Sequence, residues 1–85
     1  MEHLSLNPDL PESFKQKMLE KQWVIIHQDA GQTHLVGWGY EIRWQKAESM
    51  VILRYSNKQG VGTALLEMSH NVFAEIQALV SELNG

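Results

Sequence analysis

The chain has 85 residues, of which 44% are hydrophobic and 20% are charged, and its formal net charge is −3. This length suits one domain and not two, and the composition is that of a folded globular chain. The sequence contains no cysteine, which excludes disulfides, thiol nucleophiles and zinc ribbons. It has no apolar run of about 18 residues and no basic leader, so we expect a cytoplasmic protein without a membrane span or secretory signal.

The distribution of charge argues against nucleic-acid and membrane partners. Residues 1–58 hold all seven Lys and Arg, whereas Glu67, Glu75 and Glu82 are unbalanced in the C-terminal part. A nucleic-acid binder normally has a basic stripe, because neutralising phosphates supplies much of its affinity. The sequence shows neither such a stripe nor a basic amphipathic helix, so we expect no nucleic acid and no membrane among its partners.

The N-terminal region predicts an irregular arm over 1–8 followed by a helix over 9–21. Asp9 can accept the first free backbone amides of a helix, and Pro11 suits the first turn. Apolar residues then recur every four positions, at Leu10, Phe14 and Met18. This spacing gives the predicted helix one apolar stripe.

The pattern becomes strand-like at Trp23, and strands are predicted over 23–29, 33–45 and 50–56. Apolar and aromatic residues alternate with small or polar ones through the second strand, which is typical of a half-buried strand. A hairpin turn at Ala30-Gly31 would set three pairs opposite each other: Trp23 with Trp38, Ile25 with Val36, and His27 with His34.

A second hairpin is predicted through Lys46-Ala47-Glu48-Ser49. Its register sets Tyr40 beside Tyr55, Ile42 beside Leu53 and Glu41 beside Arg54. The last pair joins opposite charges, which favours this register.

The C-terminal stretch predicts one long helix over 62–83. On a helical wheel its apolar residues fall in one arc: Val61, Leu65, Leu66, Met68, Val72, Phe73, Ile76, Leu79, Val80 and Leu83. The expected fold is therefore α+β with the order α-β-β-β-α, a three-stranded antiparallel meander packed with an N-terminal and a long C-terminal helix.

The turn Asn57-Lys58-Gln59-Gly60-Val61-Gly62-Thr63 lies between the last predicted strand and this helix. It resembles the pyrophosphate loop of the GNAT acetyltransferases, with Asn57 where that family has Arg or Gln. The resemblance implies that amides around Gly60, Gly62 and Thr63 bind the pyrophosphate of coenzyme A, as glycines and a helix N-terminus can. The alternative is a turn that only connects strand to helix.

Two further patterns have a binding and a structural interpretation. His27 and His34, if paired across strands, could hold zinc or copper, or they could form a polar end of the sheet. The aromatic residues of one strand face could stack on a planar ligand or form the core beneath a helix; they are Trp23, Trp38, Tyr40 and Trp44. Gly37 and Gly39 on the opposite face would leave a groove for a partner or ligand.

The sequence supplies no convincing catalytic group, because its serines and carboxylates lack an activating partner. We therefore expect a non-catalytic interaction module without a cofactor, acting as a homodimer or bound to a larger protein. The predicted C-terminal helix presents Ala74 and Ala78 outward as contact positions. The alternative is a small domain that binds an acyl-coenzyme A-like or planar ligand at Gly60-Val61-Gly62, or a minimal acyltransferase.

Overall fold

A computed structural model describes residues 1–32, 38–58 and 60–84. Their fold is α+β, with five strands and two helices. In chain order these elements are β1 (Glu2–Leu6), α1 (Pro11–Glu20), β2 (Val24–Gln32), β3 (Trp38–Lys46), β4 (Ser49–Lys58), β5 (Val61–Met68) and α2 (Phe73–Asn84), with a 3-10 turn at His70–Val72 before α2.

The five strands form one antiparallel sheet in the order β1-β5-β4-β3-β2. The three-stranded meander predicted from the sequence is its β2-β3-β4 part. The other two strands lie in segments for which the sequence predicts no strand. Strand β1 lies in the predicted irregular arm, and β5 lies at the start of the predicted long helix. These two strands pair with each other, from Glu2 opposite Met68 to Leu6 opposite Ala64.

The prediction of a helix from residue 62 is wrong as far as Met68, and α2 begins at Phe73. Residues 61–68 have apolar side chains at both helical and alternating spacings, so their pattern alone does not decide between the two structures. Pairing does decide it, because β5 has β4 on one side and β1 on the other. Buried residues alternate along β5 at Ala64, Leu66 and Met68.

The register predicted for β3 and β4 is confirmed, since Tyr40 lies opposite Tyr55 and Glu41 opposite Arg54. The register predicted for the first hairpin is wrong. Ala30 and Gly31 belong to β2 rather than to a turn, and Ile25 lies opposite Trp44. The observed register between β3 and β4 sets their buried residues opposite each other. A shift of one residue would turn the buried residues of one strand to the other face of the sheet.

The hydrophobic core lies on one face of the sheet, which we call the helix face. Both helices contribute to this single core, through Phe14 and Met18 of α1 and mainly through Ile76, Leu79 and Val80 of α2. Phe14 packs edge-on against Trp44 at 5.5 Å between ring centroids. The other side of the sheet, the open face, carries Glu41, Arg43, Ile52, Arg54, Leu65 and Glu67, and neither helix packs on it.

The start of α1 differs in detail from the sequence prediction. Leu10 occupies the N-cap position without a side-chain hydrogen bond, and Pro11 is the first helical residue. Asp9 instead donates its backbone N–H to Asn7 Oδ1 at 2.9 Å. The helix therefore relies on proline geometry and on packing at its start, not on a carboxylate cap.

Candidate functional site

Among the described residues, β2 lies at an edge of the sheet and pairs with β3 alone. Successive residues of a strand direct their backbone N–H and C=O groups to alternate sides, so about half of those of β2 point away from β3. The side chains of Val24 through Ala30 are all exposed. Strand β2 therefore offers a free edge for another strand.

Three consecutive apolar side chains begin this edge. Val24 is 61% exposed, Ile25 43% and Ile26 47%. A bulge between Ile25 and His27 interrupts the pairing with β3, and consecutive apolar residues cannot all turn to one face of a strand. Exposed apolar runs of this kind are unfavourable in a free domain and typical of a binding edge.

The opposite edge of the sheet, β1, is built differently. It is only five residues long and alternates exposed with half-buried or buried side chains. Its charged side chains have partners in the same chain, since Glu2 lies 3.2 Å from His70 and His3 lies 3.9 Å from Glu67. A short edge with paired charges is protected against strand addition, and β2 is not.

An open groove separates α1 from β2 on the helix face, and we call it the α1–β2 groove. Its first part is a cavity of about 440 Å³. Most of its lining is apolar and comes from Leu19, Trp23, Val24, Ile25 and Trp44. Helix α1 also contributes the polar side chains of Glu12, Lys15 and Gln16. Leu19 is 68% exposed, so the helix side of the groove carries an exposed apolar side chain, as the strand side does with Val24 and Ile25.

The end of α1 positions Trp23 in this groove. The helix stops in a Schellman motif, in which Trp23 donates its N–H to Met18 O and Gln22, at φ 68°, donates to Leu19 O. Lys46 donates to Lys21 O at 2.9 Å and lies 5.7 Å from the centroid of the Trp23 ring. The backbone of Trp23 is thus fixed by the end of α1, and its ring lies beside the Lys46 ammonium group of β3. The ring Nε1 is buried without a hydrogen-bond partner among the described residues.

The second part of the groove is a cavity of about 320 Å³, lined by Gln28, Ala30 and Tyr40 together with Glu12 and Lys15. Tyr40 stacks on Tyr55 with 5.0 Å between ring centroids. Burial, followed by the charge of Glu12 and the neighbouring Tyr55, raises the pKa of Tyr40 to about 12. The phenol therefore stays neutral at physiological pH, although Asp29 and Glu41 also line this cavity.

The open face carries a network of ion pairs centred on Glu41. Its two carboxylate oxygens accept hydrogen bonds from Arg43 Nε at 2.8 Å and Arg54 Nε at 2.9 Å, and Arg54 also pairs with Glu67. The hydrogen bond from Arg54 is the main cause that lowers the pKa of Glu41. A charged, internally paired face is typical of the solvated side of an antiparallel sheet.

Two polar side chains of β2 lie opposite charged residues of β3. His27 lies opposite Arg43, and Asp29 lies opposite Glu41. Residues directly opposite each other share a face, so both pairs lie on the open face. Arg43 and Glu41 form an ion pair with each other, and the side chains of His27 and Asp29 are exposed.

The structure places the glycine turn between two strands. Lys58 lies opposite Val61, and Gly60 adopts φ +83°, which suits a tight hairpin. Gly62 leaves room for a neighbouring ring, since a Cβ there would lie 3.0 Å from Tyr55 Oη. Thr63 lies within β5, so no helix N-terminus follows the turn to bind the pyrophosphate that the family resemblance implies.

Of the histidine pair predicted from the sequence, the structure describes His27 alone. His27 lies opposite Arg43, and His34 lies outside the described residues. Within the described ranges, no three or more His, Asp or Glu side chains are grouped so as to hold a metal ion.

The aromatic residues divide between core and groove. Trp44 and Trp23 are buried in the core, and Tyr40 is half-buried. The side chain of Trp38 is not among those described. The core interpretation of this face therefore holds for the two described tryptophans.

The predicted interaction residues lie apart from one another. Gly39 is buried within β3, and Gly37 lies outside the described residues. Ala74 and Ala78 are exposed on α2, whereas the α1–β2 groove is formed by α1 and the other end of the sheet. Sequence reasoning missed Leu19, Val24 and Ile26, although the consecutive apolar residues of β2 were visible in the sequence.

Comparison with known proteins gave no match: no family model, no curated protein and no solved structure matches this chain. In the part of the chain that the structure describes, neither helix has the length and apolar character needed to cross a bilayer.

Proposed function

We propose that the protein is a non-catalytic interaction module of the cytoplasm, acting as a homodimer or on a larger protein. Its ligand is an extended protein strand that pairs with the free edge of β2. The observation that carries this proposal is the coincidence, on one edge, of unpaired backbone groups with three consecutive exposed apolar side chains.

Strand addition uses both features of this edge. The outward N–H and C=O groups of β2 gain partners, and an added strand covers the side chains of Val24, Ile25 and Ile26. These side chains are about half exposed, and burying the rest contributes on the order of 1 kcal/mol for each. The α1–β2 groove lies beside the edge and accepts side chains that the added strand directs to the helix face.

A size measurement tests the proposal. We expect the protein in a gentle cell extract to elute from gel filtration as a species larger than the 9.7 kDa chain. The variant Ile26→Lys should elute as the free chain, because a charge at this edge opposes strand addition. Leu65→Lys is the matched control: Leu65 is also an exposed apolar residue, but it lies on β5, and its variant should keep the larger size.

Two results would contradict the proposal. One is a wild-type protein that elutes as the free chain. The other is an equal loss of size in both lysine variants, which would show that the edge of β2 is not the binding surface.

A further inference from the structure

We infer that the strand added to β2 is β2 of a second copy, antiparallel and related by a two-fold axis beside Gln28. This inference rests on the proposed function and names its partner. In this arrangement two five-stranded sheets join into one continuous sheet, and the groove floors of the two copies meet at the axis.

A two-fold axis beside Gln28 lies at the middle of the nine residues described for β2. From Ile26 to Ala30, residues whose numbers sum to 56 then lie opposite each other in the two copies. His27 of each copy faces the Asp29 carboxylate of the other, which can accept a hydrogen bond from the imidazole, so two favourable pairs form on the open face. Within their own chain His27 lies opposite Arg43 and Asp29 lies opposite Glu41.

Neighbouring registers lack this complementarity. Moving the axis by one residue toward the N-terminus sets His27 against His27 of the second copy. Moving it by one residue the other way sets Asp29 against Asp29. The first of these registers leaves His27 opposite no carboxylate, and the second sets like charges directly opposite each other, which destabilises a strand pair. The side chains therefore favour the register centred on Gln28.

The apolar end of β2 also fits this arrangement. Opposite Ile26 lies Ala30 of the second copy, whose side chain is small. Small residues leave room for the bulge between Ile25 and His27. The apolar start of each copy thus packs on the small-residue end of the other.

Charge reversal tests the inference on purified, untagged protein by analytical ultracentrifugation. We expect the wild type to sediment as a dimer. His27→Glu would set one carboxylate opposite Asp29 in each of the two pairs, and Asp29→Lys would remove the carboxylate opposite His27 from each pair. Each single variant should weaken the dimer about tenfold or more.

Both single variants keep their fold by the same geometry. A glutamate at position 27 faces Arg43, and a lysine at position 29 faces Glu41, so pairing within the chain improves. The double variant His27→Glu/Asp29→Lys restores opposite charges across the axis and should restore the dimer. This rescue is expected only if both members of each pair come from copies of this chain, because a different partner protein would carry neither substitution.

Ala78→Glu is the control on another surface, since Ala78 is exposed on α2, and it should leave the dimer intact. Dissociation by Ala78→Glu, or a dimer unchanged in both single charge variants, would place the interface elsewhere and overturn the inference. A monomeric wild type would overturn it too. In that case a larger species in the cell extract that depends on Ile26 would still support strand addition by another protein.

Discussion

Glu41 shows how single side chains stabilise a sheet face that no helix covers. Its carboxylate accepts one hydrogen bond from Arg43 on its own strand and one from Arg54 on β4, so it links two strands. Arg54 extends the network to Glu67 on β5. The long side chains of this network surround Ile52, which is only 6% exposed although it lies on the open face.

We expect Glu41→Gln to lower the free energy of unfolding at neutral pH by about 1 kcal/mol, since networked pairs at a surface contribute roughly this much. The folded state lowers the pKa of Glu41 from its ordinary 4.5. Its stabilising contribution is therefore complete above pH 4.5 and is lost as the pH falls through the folded-state pKa.

Urea unfolding as a function of pH measures this contribution. The wild type should lose stability below pH 4.5 more steeply than Glu41→Gln does, because the variant lacks the titrating group. Glu48→Gln is the control, at an exposed carboxylate in the β3–β4 turn, and it should behave like the wild type. Parallel acid profiles for the wild type and Glu41→Gln would contradict the role of the network.

At the scale of elements, β5 is the segment whose structure departs most from its sequence pattern. Leu65 and Leu66 fall in the same apolar arc on a helical wheel, whereas in a strand they point to opposite faces. Leu66 is completely buried in the core, and Leu65 is 45% exposed on the open face. Two neighbouring leucines therefore have different environments.

This difference predicts different costs for the same substitution. Leu66→Ala should destabilise the protein by about 2–5 kcal/mol, because it removes a fully buried side chain and leaves a cavity. Leu65→Ala should cost less than about 1 kcal/mol, since much of its surface stays in water. Thermal or urea unfolding of both variants measures the costs, and nearly equal costs would contradict the strand assignment.

At the scale of the whole molecule, the sheet has one covered and one open face, and β2 is the longer and more exposed of its two edge strands. Both helices pack on the helix face, and Lys17 of α1 lies 3.4 Å from Glu82 of α2. Neither helix covers the exposed residues of β2. The proposed dimer gives this edge a partner without adding another element to the fold.

Dimerisation of the folded chain predicts that its thermal midpoint depends on protein concentration. Mass action stabilises any folded state that associates, so the midpoint should rise as the concentration rises. In His27→Glu the midpoint should be independent of concentration over the range where this variant is monomeric. Differential scanning calorimetry across a dilution series provides the measurement, and a constant wild-type midpoint would argue against a dimer linked to folding.

Local patterns in the sequence were sufficient for part of this fold. The four-residue spacing of Leu10, Phe14 and Met18 predicts α1, because a helix needs a stripe of this period to bury a face. The pairing of Glu41 with Arg54 follows from strand alternation and a short turn. These features depend on residues close together in the chain, whose geometry the backbone restricts strongly.

The candidate site was predictable only in part, because it depends on which strand lies at an edge. Three apolar residues beginning at Val24 suit a buried strand as well as an exposed one. The sequence predicts His27 as the neighbour of His34, and only the observed register shows that it lies opposite Arg43.

By itself, the sequence determined the α+β class, the position of α1, the β3–β4 hairpin and the helical end of the chain. Only the tertiary structure decided that Glu2–Leu6 and Val61–Met68 are strands and that they pair with each other. Their partners lie about sixty residues apart, and the free energy of such pairing comes from contacts that no local window contains. The same long-range pairing leaves β2 at the edge, and so it decided where the candidate site lies.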